Sequence, residues 1–231
     1  TLFLFTSYEK LDGAQVFEYN AFGTGDNDID QATVDRIIDI AKTNYDYDPG
    51  SLVPSLPVDD EKLLIKLDWN INDDHRASFV YNYNDGFTLS QSDASSSRLS
   101  LSNHFYERGA ELTSMMASLH SDWTDNFSTS VSIGQMELDN RQQSLDAASG
   151  FGEVSIRHNG ATIYLGPDDS RQSNEMNWDN TNFKLSGSYY LDEHTITAGY
   201  EYETLTAFNL FMQHTIGEYR FGSIDEYENG L

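Results

Sequence analysis

The feature that most constrains the fold is the stretch at residues 66–85, with the sequence KLDWNINDDHRASFVYNYND. Apolar and polar residues alternate on both sides of a short acidic turn, Asp73-Asp74-His75. Alternation of this kind is typical of a strand with one apolar and one polar face. The apolar face would contain Leu67, Trp69, Ile71, Ala77, Phe79, Tyr81 and Tyr83. The stretch therefore predicts a β-hairpin whose apolar face has to be covered, either by a second sheet or by lipid.

The same pattern returns at residues 118–134 (SLHSDWTDNFSTSVSIG) and at residues 185–203 (LSGSYYLDEHTITAGYEYE). In each hairpin an aromatic residue precedes an acidic turn, and Asp and Asn suit turns because their side chains bond nearby backbone groups. With the opening residues of the chain, these hairpins predict about seven strands. The predicted strands span residues 2–11, 62–72, 76–86, 108–123, 127–139, 182–191 and 195–206.

The connections between these strands alternate in length. Three are tight turns, whereas residues 12–61, 87–107, 140–181 and those from about 207 onward form long connections. Compact soluble domains rarely contain structureless loops beyond ~15 residues. Tight turns at one end and long loops at the other are typical of outer-membrane barrels, and strands of about 10 residues match the ~9–11 that cross a bilayer. The pattern predicts an all-β fold, an antiparallel transmembrane β-barrel segment with long outer loops.

Two of the long connections contain structure of their own. Val34, Ile37, Ile38 and Ala41 recur at helical spacing and predict a helix over residues 31–44, which would cap or fold over the mouth of the barrel. Residues 150–169 predict a small hairpin that turns at 158–160 (His-Asn-Gly) and projects as a finger. The last residues, 223–231 (SIDEYENGL), predict a loop, and a chain that opens inside a strand and closes in a loop indicates a segment of a longer protein.

The composition excludes several classes of function. The formal charge of −25 argues against nucleic acid as a partner, because its phosphates need Lys and Arg. The absence of Cys excludes disulfides, thiolate metal sites and a Cys nucleophile. No apolar run approaches the ~20 residues of a spanning helix. No nucleophile elbow, P-loop or dinucleotide fingerprint occurs, so we expect no catalytic residues, no cofactor and no enzymatic activity.

Metal binding has one weak candidate in the sequence. Asp26, Asp28 and Asp30 begin like a calcium loop, but an EF-hand needs Gly at the sixth place and Glu at the twelfth. Gln31 and Ile37 stand there instead, so the motif is interpreted as an acidic helix-capping turn, with a looser outer cation site as the alternative. The 6 His residues are scattered without zinc-type spacing, so none is assigned to a metal.

The polar faces of the predicted strands would line the lumen of a barrel. Charges on the lipid face would cost roughly 2–4 kcal/mol each at the midplane, and lumen placement avoids that cost. Simple solvation of the same residues is the alternative. The predicted lumen-facing residues are Lys66, Asp68, Asn70, Asn82, Asn84, Lys184, Glu201 and Glu203. Aromatic residues near the tight turns predict an aromatic girdle at the membrane interface, formed by Trp69, Trp123 and Tyr189. Ordinary aromatic packing within the sheet is the alternative.

Three segments, taken in order, resemble the barrel region of TonB-dependent outer-membrane receptors, with the Oar-like branch as the nearest match. They are residues 2–13 (LFLFTSYEKLDG), 34–50 (VDRIIDIAKTNYDYDPG) and 57–86 (PVDDEKLLIKLDWNINDDHRASFVYNYNDG). The similarity continues less sharply through SDWTDNFS, LDEHTITAGYEYE and FGSIDEYENGL, so it covers most of the chain. No single motif is unique to the family, but the ordered series is fairly specific.

The resemblance implies a receptor in the outer membrane of a Gram-negative bacterium that actively imports a scarce, bulky nutrient such as a siderophore, cobalamin, glycan or peptide. It implies a barrel of about 22 strands, with a plug domain and contact with the TonB complex. Residues 1–231 would be a partial barrel domain without the plug, the TonB box and the C-terminal strands. Its partners would be outer-membrane lipid, the plug and TonB through the missing part, and an unidentified substrate. A passive porin-like barrel and a soluble, secreted β-rich glycan-binding module remain as alternatives.

Overall fold

The computed structural model describes residues 1–16 and 29–231. The protein is mostly β, with 64% of residues in strands and 14% in helices. None of the helices in the described residues is long and apolar enough to cross a membrane. The elements are β1 (Leu2–Val16), α1 (Gln31–Tyr45), β2 (Ser55–Asn70), β3 (His75–Ser90), β4 (Arg98–Ser100), β5 (Tyr106–Thr124), β6 (Phe127–Ser144), β7 (Glu153–His158), β8 (Ala161–Leu165), β9 (Ser173–Leu191), β10 (His194–Met212), β11 (Glu218–Phe221) and α2 (Ile224–Asn229).

The seven long strands form one antiparallel sheet in the order β1-β2-β3-β5-β6-β9-β10. Tight turns join β2 to β3, β5 to β6 and β9 to β10 at one end of the sheet, and all the long connections lie at the other end. The predicted alternation of tight turns and long connections is confirmed. The sheet does not close on itself, so β1 and β10 are its edges.

The positions of the seven predicted strands are confirmed, but the predicted bounds were too short. The strands of the large sheet contain 15 to 19 residues each. Residues 173–181, predicted to lie in a connection, form the first half of β9 and pair with β10 as far as Ser173 opposite Met212. Polar residues predominate in this half of β9, so little in the sequence indicates a strand. The strand forms nevertheless, because the ladder consists of backbone hydrogen bonds, which do not depend on the side chains. The prediction also missed two short strands, β4 and β11, which lie with β7 and β8 in a second sheet.

The register of the large sheet gathers apolar side chains into a continuous band. Residues directly opposite each other on neighbouring strands share a face. We call two adjacent rows on one face the apolar band. The first row is Leu4, Leu67, Phe79, Ala117, Ile133, Phe183 and Tyr202. The second row is Leu2, Trp69, Ala77, Leu119, Val131, Leu185 and Tyr200. Each row crosses all seven strands, and the band is exposed, with Leu4 at 65% and Ile133 at 54%.

The buried core of the described residues lies beside the second sheet. That sheet has the order β11-β7-β8-β4, and β7 pairs antiparallel with β8, whereas β4 and β11 join in parallel. We call these four strands, together with α1 and α2, the cap. Its elements come from all the long connections of the chain. The largest buried apolar side chains of its core are Val34, Ile37, Leu101, Ile156, Ile163, Leu165 and Tyr227.

The predicted helix is confirmed as α1. Asp30 is its N-cap, and the Oδ1 atom of Asp30 accepts a hydrogen bond of 2.8 Å from the backbone N–H of Thr33. This arrangement satisfies one of the free N–H groups of the first turn. The helix buries Val34, Ile37 and Ala41 in the core of the cap.

The predicted loop at residues 223–231 was wrong, because this segment contains α2. The Ser223 Oγ atom accepts from the N–H of Glu226 at 3.1 Å, and the Glu226 carboxylate accepts from the N–H of Gly222 at 2.7 Å. Gly230 ends the helix in the left-handed conformation. A Ser followed three residues later by Glu is the signature of a capping box, so the sequence does contain the signal for this helix.

The predicted hairpin at residues 150–169 is confirmed as β7 and β8, but it does not project as a finger. Its turn residues Asn159 and Gly160 have φ values of 48° and 81°, as a two-residue hairpin turn requires. The hairpin occupies the middle of the second sheet, and Ile156 and Ile163 are fully buried. Its apolar residues therefore hold it inside the cap.

Candidate functional site

The polar face of the large sheet contains all eight residues predicted to line a lumen. Residues directly opposite each other on neighbouring strands share a face. The register places Asp68, Ser78, Ser118, Ser132, Lys184 and Glu201 in one such row across six strands. These eight residues therefore share one face of the sheet, opposite the apolar band, and their position in a lumen stays a prediction. The eight residues are Lys66, Asp68, Asn70, Asn82, Asn84, Lys184, Glu201 and Glu203.

Short polar contacts connect the strands on this face. Ser78 and Ser118 approach within 2.7 Å through their hydroxyl oxygens, and Asn82 Nδ2 donates to the Ser114 hydroxyl at 3.2 Å. Lys66 Nζ lies 2.9 Å from the Asp68 carboxylate, so charges of opposite sign are neighbours along the strand. The face is polar and charge-paired, which suits contact with water or with another polar surface.

The three aromatic residues predicted at a membrane interface lie at the tight-turn end of the sheet. Trp69, Trp123 and Tyr189 are within a few residues of the ends of β2, β5 and β9, and each is about half exposed. The Trp123 indole N–H donates to the Thr129 hydroxyl at 2.9 Å, which fixes the ring against β6. Trp69 belongs to the apolar band, so its ring faces the same side as the band.

A second candidate site lies in the cap, where Asp93, His104, Glu153 and Asp168 meet. We call these four residues the polar cluster. Asp93 and His104 come from the connection between β3 and β5, and Glu153 and Asp168 come from the connection between β6 and β9. His104, Glu153 and Asp168 are 0%, 3% and 1% exposed, so the cluster is buried on most sides. One nitrogen or oxygen atom from each residue lies within 4.8 Å of the others.

The orientation of His104 is set by a backbone carbonyl. Its Nδ1 atom lies 3.0 Å from the carbonyl oxygen of Gly166, so Nδ1–H donates there. Nε2 then faces the other members of the cluster, at 3.2 Å from Asp93 Oδ2 and 4.0 Å from Asp168 Oδ2. Burial acts to lower the pKa of His104, but the hydrogen bond to Asp93 and the nearby carboxylates raise this pKa above its usual value.

Glu153 is the carboxylate of the cluster that lacks a Lys or Arg partner. Arg98 lies 3.2 Å from Asp93 and Arg171 lies 3.3 Å from Asp168. Glu153 Oε2 accepts from the backbone N–H of Asp169 at 2.7 Å, and the Glu153 side chain also lines a cavity. Burial raises the pKa of Glu153 to about 7, against the opposing effect of His104. The cluster therefore combines three carboxylates with a histidine that favours its charged form.

The polar cluster opens into a cavity of about 590 Å³. Asp93 and Glu153 belong to both the cluster and the cavity wall, so the cavity gives access to the cluster. The cavity also contains the side chains of Arg98, Arg157 and Arg220, in a chain that has only 13 basic residues in all. At its rim, His214 lies 3.5 Å from Asp169 and 3.3 Å from Glu218 in a more exposed group.

Sequence reasoning did not identify the polar cluster. Its members come from two connections and share no local spacing, so only the folded chain brings them together. Of the predicted cation candidates, Asp30 caps α1, whereas Asp26 and Asp28 lie outside the described residues. No protein-family model, curated protein or solved structure matches the chain. Function is therefore inferred from the geometry of the sheet and of the cap.

Proposed function

We propose that the chain forms part of the wall and outer loops of an outer-membrane β-barrel. In this proposal the barrel belongs to a TonB-dependent receptor that actively imports a scarce, bulky nutrient. The observation that carries the membrane part is the exposed apolar band, which crosses all seven strands opposite a charged face. Water-soluble proteins rarely expose a continuous apolar patch of this extent, and lipid would cover it.

The dimensions of the strands support membrane insertion. A strand needs ~9–11 residues to cross the hydrocarbon layer at a tilt, and the strands here have 15 to 19. The apolar band lies toward the tight-turn end, so the surplus length extends on the other side and leads into the cap. Trp69, Trp123 and Tyr189 would then lie at the periplasmic interface, where aromatic residues are enriched. The polar face would form the lumen wall.

The open edges of the sheet require additional strands. Within residues 1–16 and 29–231, no strand pairs with the outer sides of β1 and β10, and unpaired backbone is not tolerated in lipid. A larger barrel of about 22 strands would pair both edges. The assignment to a TonB-dependent receptor rests on the ordered resemblance of residues 2–13, 34–50 and 57–86. In such a receptor the polar face would border the plug, and the transport itself requires no catalytic residue.

Spin labels on single introduced cysteines test the membrane assignment, and the chain is suited to this because it contains no cysteine of its own. Labels at Phe79 and Tyr81, on the apolar face, are expected to collide with a lipid-soluble relaxing agent in liposomes. Labels at Asn70 and Asn82, on the polar face, are expected to respond to a water-soluble agent instead. If both pairs responded alike, the lipid-facing assignment would be wrong.

The transport part of the proposal needs a separate experiment in the complete protein. Uptake of the nutrient is expected to stop when the gene is deleted and when the inner-membrane proton gradient is collapsed. A passive porin would instead conduct small solutes without the gradient. A soluble secreted glycan-binding module would remain monodisperse without detergent, which the apolar band argues against.

A further inference from the structure

We propose that Asp93, His104, Glu153 and Asp168 bind one divalent transition-metal ion, for which Zn²⁺ is the best match. The proposal concerns the cap alone and does not depend on where the large sheet resides. It rests on the donor set, on the cavity that gives access to the polar cluster and on the orientation of His104.

The donor atoms are already close to the spacing that a metal ion requires. A tetrahedral Zn²⁺ ion with bonds of about 2.0–2.1 Å holds its ligand atoms about 3.3–3.4 Å apart. His104 Nε2 is 3.2 Å from Asp93 Oδ2 and 4.0 Å from Asp168 Oδ2, and the whole donor set fits within 4.8 Å. The Ser92 hydroxyl lies between these atoms, 3.4 Å from His104 Nε2 and in contact with the Asp168 carboxylate, so a bound ion would displace it while the carboxylates rotate slightly.

The carboxylates of the polar cluster differ in their partners. Asp93 and Asp168 each have an Arg partner, whereas Glu153 accepts from the backbone N–H of Asp169 through Oε2. Asp93 and Glu153 also form part of the cavity wall, so an ion that enters the cavity can reach both carboxylates.

Groups around the cluster hold the donor side chains in position, as the residues that surround the ligands of a metal ion do. Metal-binding His residues commonly donate their other ring N–H to a carbonyl, which directs the free nitrogen at the ion. His104 does this with the carbonyl of Gly166. Gly166 has a φ of +80°, and a Cβ atom there would lie 2.2 Å from the Gly152 carbonyl oxygen, so the turn that holds this carbonyl requires glycine. The Asp168 N–H donates to the Ser144 hydroxyl at 3.0 Å, which anchors the opposite side.

The donor chemistry favours a transition metal over calcium. Calcium takes six to eight oxygen ligands, whereas this cluster offers about four donors, one of them an imidazole nitrogen. The ion would join the β3–β5 connection to the β6–β9 connection. In a chain without cysteine it would cross-link the cap where a disulfide is unavailable.

The binding test uses the purified chain in detergent, stripped of metal with a chelator and titrated with Zn²⁺. We expect saturable binding of a single ion per chain, a higher Tm with Zn²⁺, and visible absorption bands of a four-coordinate ion when Co²⁺ is used instead. Ca²⁺ should produce at least tenfold weaker binding. Absence of saturable Zn²⁺ binding by the folded chain would overturn the proposal.

Substitutions in the cluster identify the ligands. His104→Gln and Glu153→Gln should each weaken Zn²⁺ binding at least tenfold and remove the increase in Tm. His120→Gln is the matched control, because His120 also lies 3.2 Å from a carboxylate, that of Asp122, but on the large sheet. It should bind Zn²⁺ as the parent chain does. Equal binding by the cluster variants and the control would assign the ion elsewhere and contradict the proposal.

Folding of the variants is checked in the metal-free state. Gln at position 153 keeps an oxygen acceptor for the Asp169 N–H, so the Tm of Glu153→Gln without metal should stay close to that of the parent chain, even though its response to Zn²⁺ is lost. Asp93→Asn, at the more exposed side of the cluster, provides a second folded variant that should bind Zn²⁺ more weakly. A Zn²⁺-dependent rise in Tm that survives in both variants would refute the assignment of the ligands.

Discussion

Two stacked tyrosines in the cap have different hydrogen-bonding states. The rings of Tyr45 and Tyr227 lie 5.0 Å apart, and the Tyr45 hydroxyl donates to the backbone carbonyl of Tyr227. The Tyr227 hydroxyl is buried without a partner among the described residues. Burying a hydroxyl without a hydrogen bond costs free energy, whereas a formed hydrogen bond contributes about 1 kcal/mol. The two hydroxyls therefore make opposite contributions to stability.

We expect Tyr227→Phe to leave the free energy of unfolding unchanged or raise it by about 1 kcal/mol, and Tyr45→Phe to lower it by about 1 kcal/mol. Urea unfolding followed by tryptophan fluorescence measures both, and each variant serves as the control for the other because the ring stacking is kept. A marked loss of stability in Tyr227→Phe would mean that its hydroxyl has a partner.

Asp30 makes the stability of α1 depend on pH. The hydrogen bond from Thr33 lowers the pKa of Asp30 below its usual value of 3.8. A group with a lowered pKa in the folded state stabilises above the unfolded pKa and loses that contribution as the pH falls through the folded pKa. The advantage of the parent chain over Asp30→Ala in Tm should therefore be present at neutral pH and shrink at about pH 2.

Asp30→Ser is the control for the charge of the cap. Serine keeps an oxygen acceptor for the Thr33 N–H but has no charge in this range. Its advantage in Tm over Asp30→Ala should not change between neutral and acid pH. A pH-independent advantage of the parent chain would show that the ionised carboxylate is not what stabilises the cap.

At the scale of elements, the pairing of β3 with β5 depends on a glycine. Gly109 in β5 lies opposite Phe87 in β3. A Cβ atom at Gly109 would lie 2.2 Å from the Gly86 carbonyl oxygen and 2.3 Å from the Phe87 ring. Gly109→Ala should therefore lower the free energy of unfolding by about 1–3 kcal/mol, as overpacking does. Gly13→Ala is the control, since no atom lies within 4 Å of its added Cβ.

Urea unfolding of the two glycine variants measures this difference. We expect the Gly13 variant to unfold with the parent midpoint, because β1 is an edge strand with open space at that position. If the Gly109 variant unfolded at the same urea midpoint as the Gly13 variant, the prediction would be wrong. The strands β3 and β5 would then accommodate the added Cβ atom without losing their backbone hydrogen bonds.

The elements could be predicted from the sequence to different degrees. Alternation of period two reveals strands such as β2 and β3, where apolar and polar side chains face different surroundings. It is weak in the first half of β9, where Met176 and Trp178 are the only large apolar residues before Phe183 but the ladder continues. The capping box at Ser223 marks α2, yet the segment is too short for a periodic apolar pattern to accompany it. The cap strands are short, and β4 and β11 join in parallel with distant partners, which no local pattern indicates.

At the scale of the whole molecule, the two faces of the sheet should respond differently to charge. Ile133 belongs to the apolar band, whereas Ser132 beside it faces Ser118 and Lys184 on the polar face. In liposomes, Ile133→Lys should lower the free energy of unfolding by about 1–3 kcal/mol, because its row lies between the interface, where a Lys costs about 0–1 kcal/mol, and the midplane, where it costs about 2–4 kcal/mol. Ser132→Lys should have a much smaller effect. Equal effects in the two variants would contradict contact of the band with lipid.

The candidate sites differ in how far the sequence reveals them. The polar and apolar faces follow from alternation plus register, so residues such as Asn82 and Glu201 could be assigned to one face in advance. The polar cluster could not, because His104 meets Glu153 only after two connections have folded against each other. A residue pattern within one connection contains no information about the other.

The composition of the cap also determines the order in which the chain can fold. The apolar side of α1 packs among residues that include Ile156, Ile224 and Tyr227, so α1 has no complete partner surface until α2 is in place. Three hairpins of the large sheet separate α1 from α2 along the chain. Contacts between such distant segments form slowly, and apolar surface exposed in the meantime favours aggregation. The apolar side of α1 therefore stays partly exposed during folding until the segments on either side of these hairpins have met.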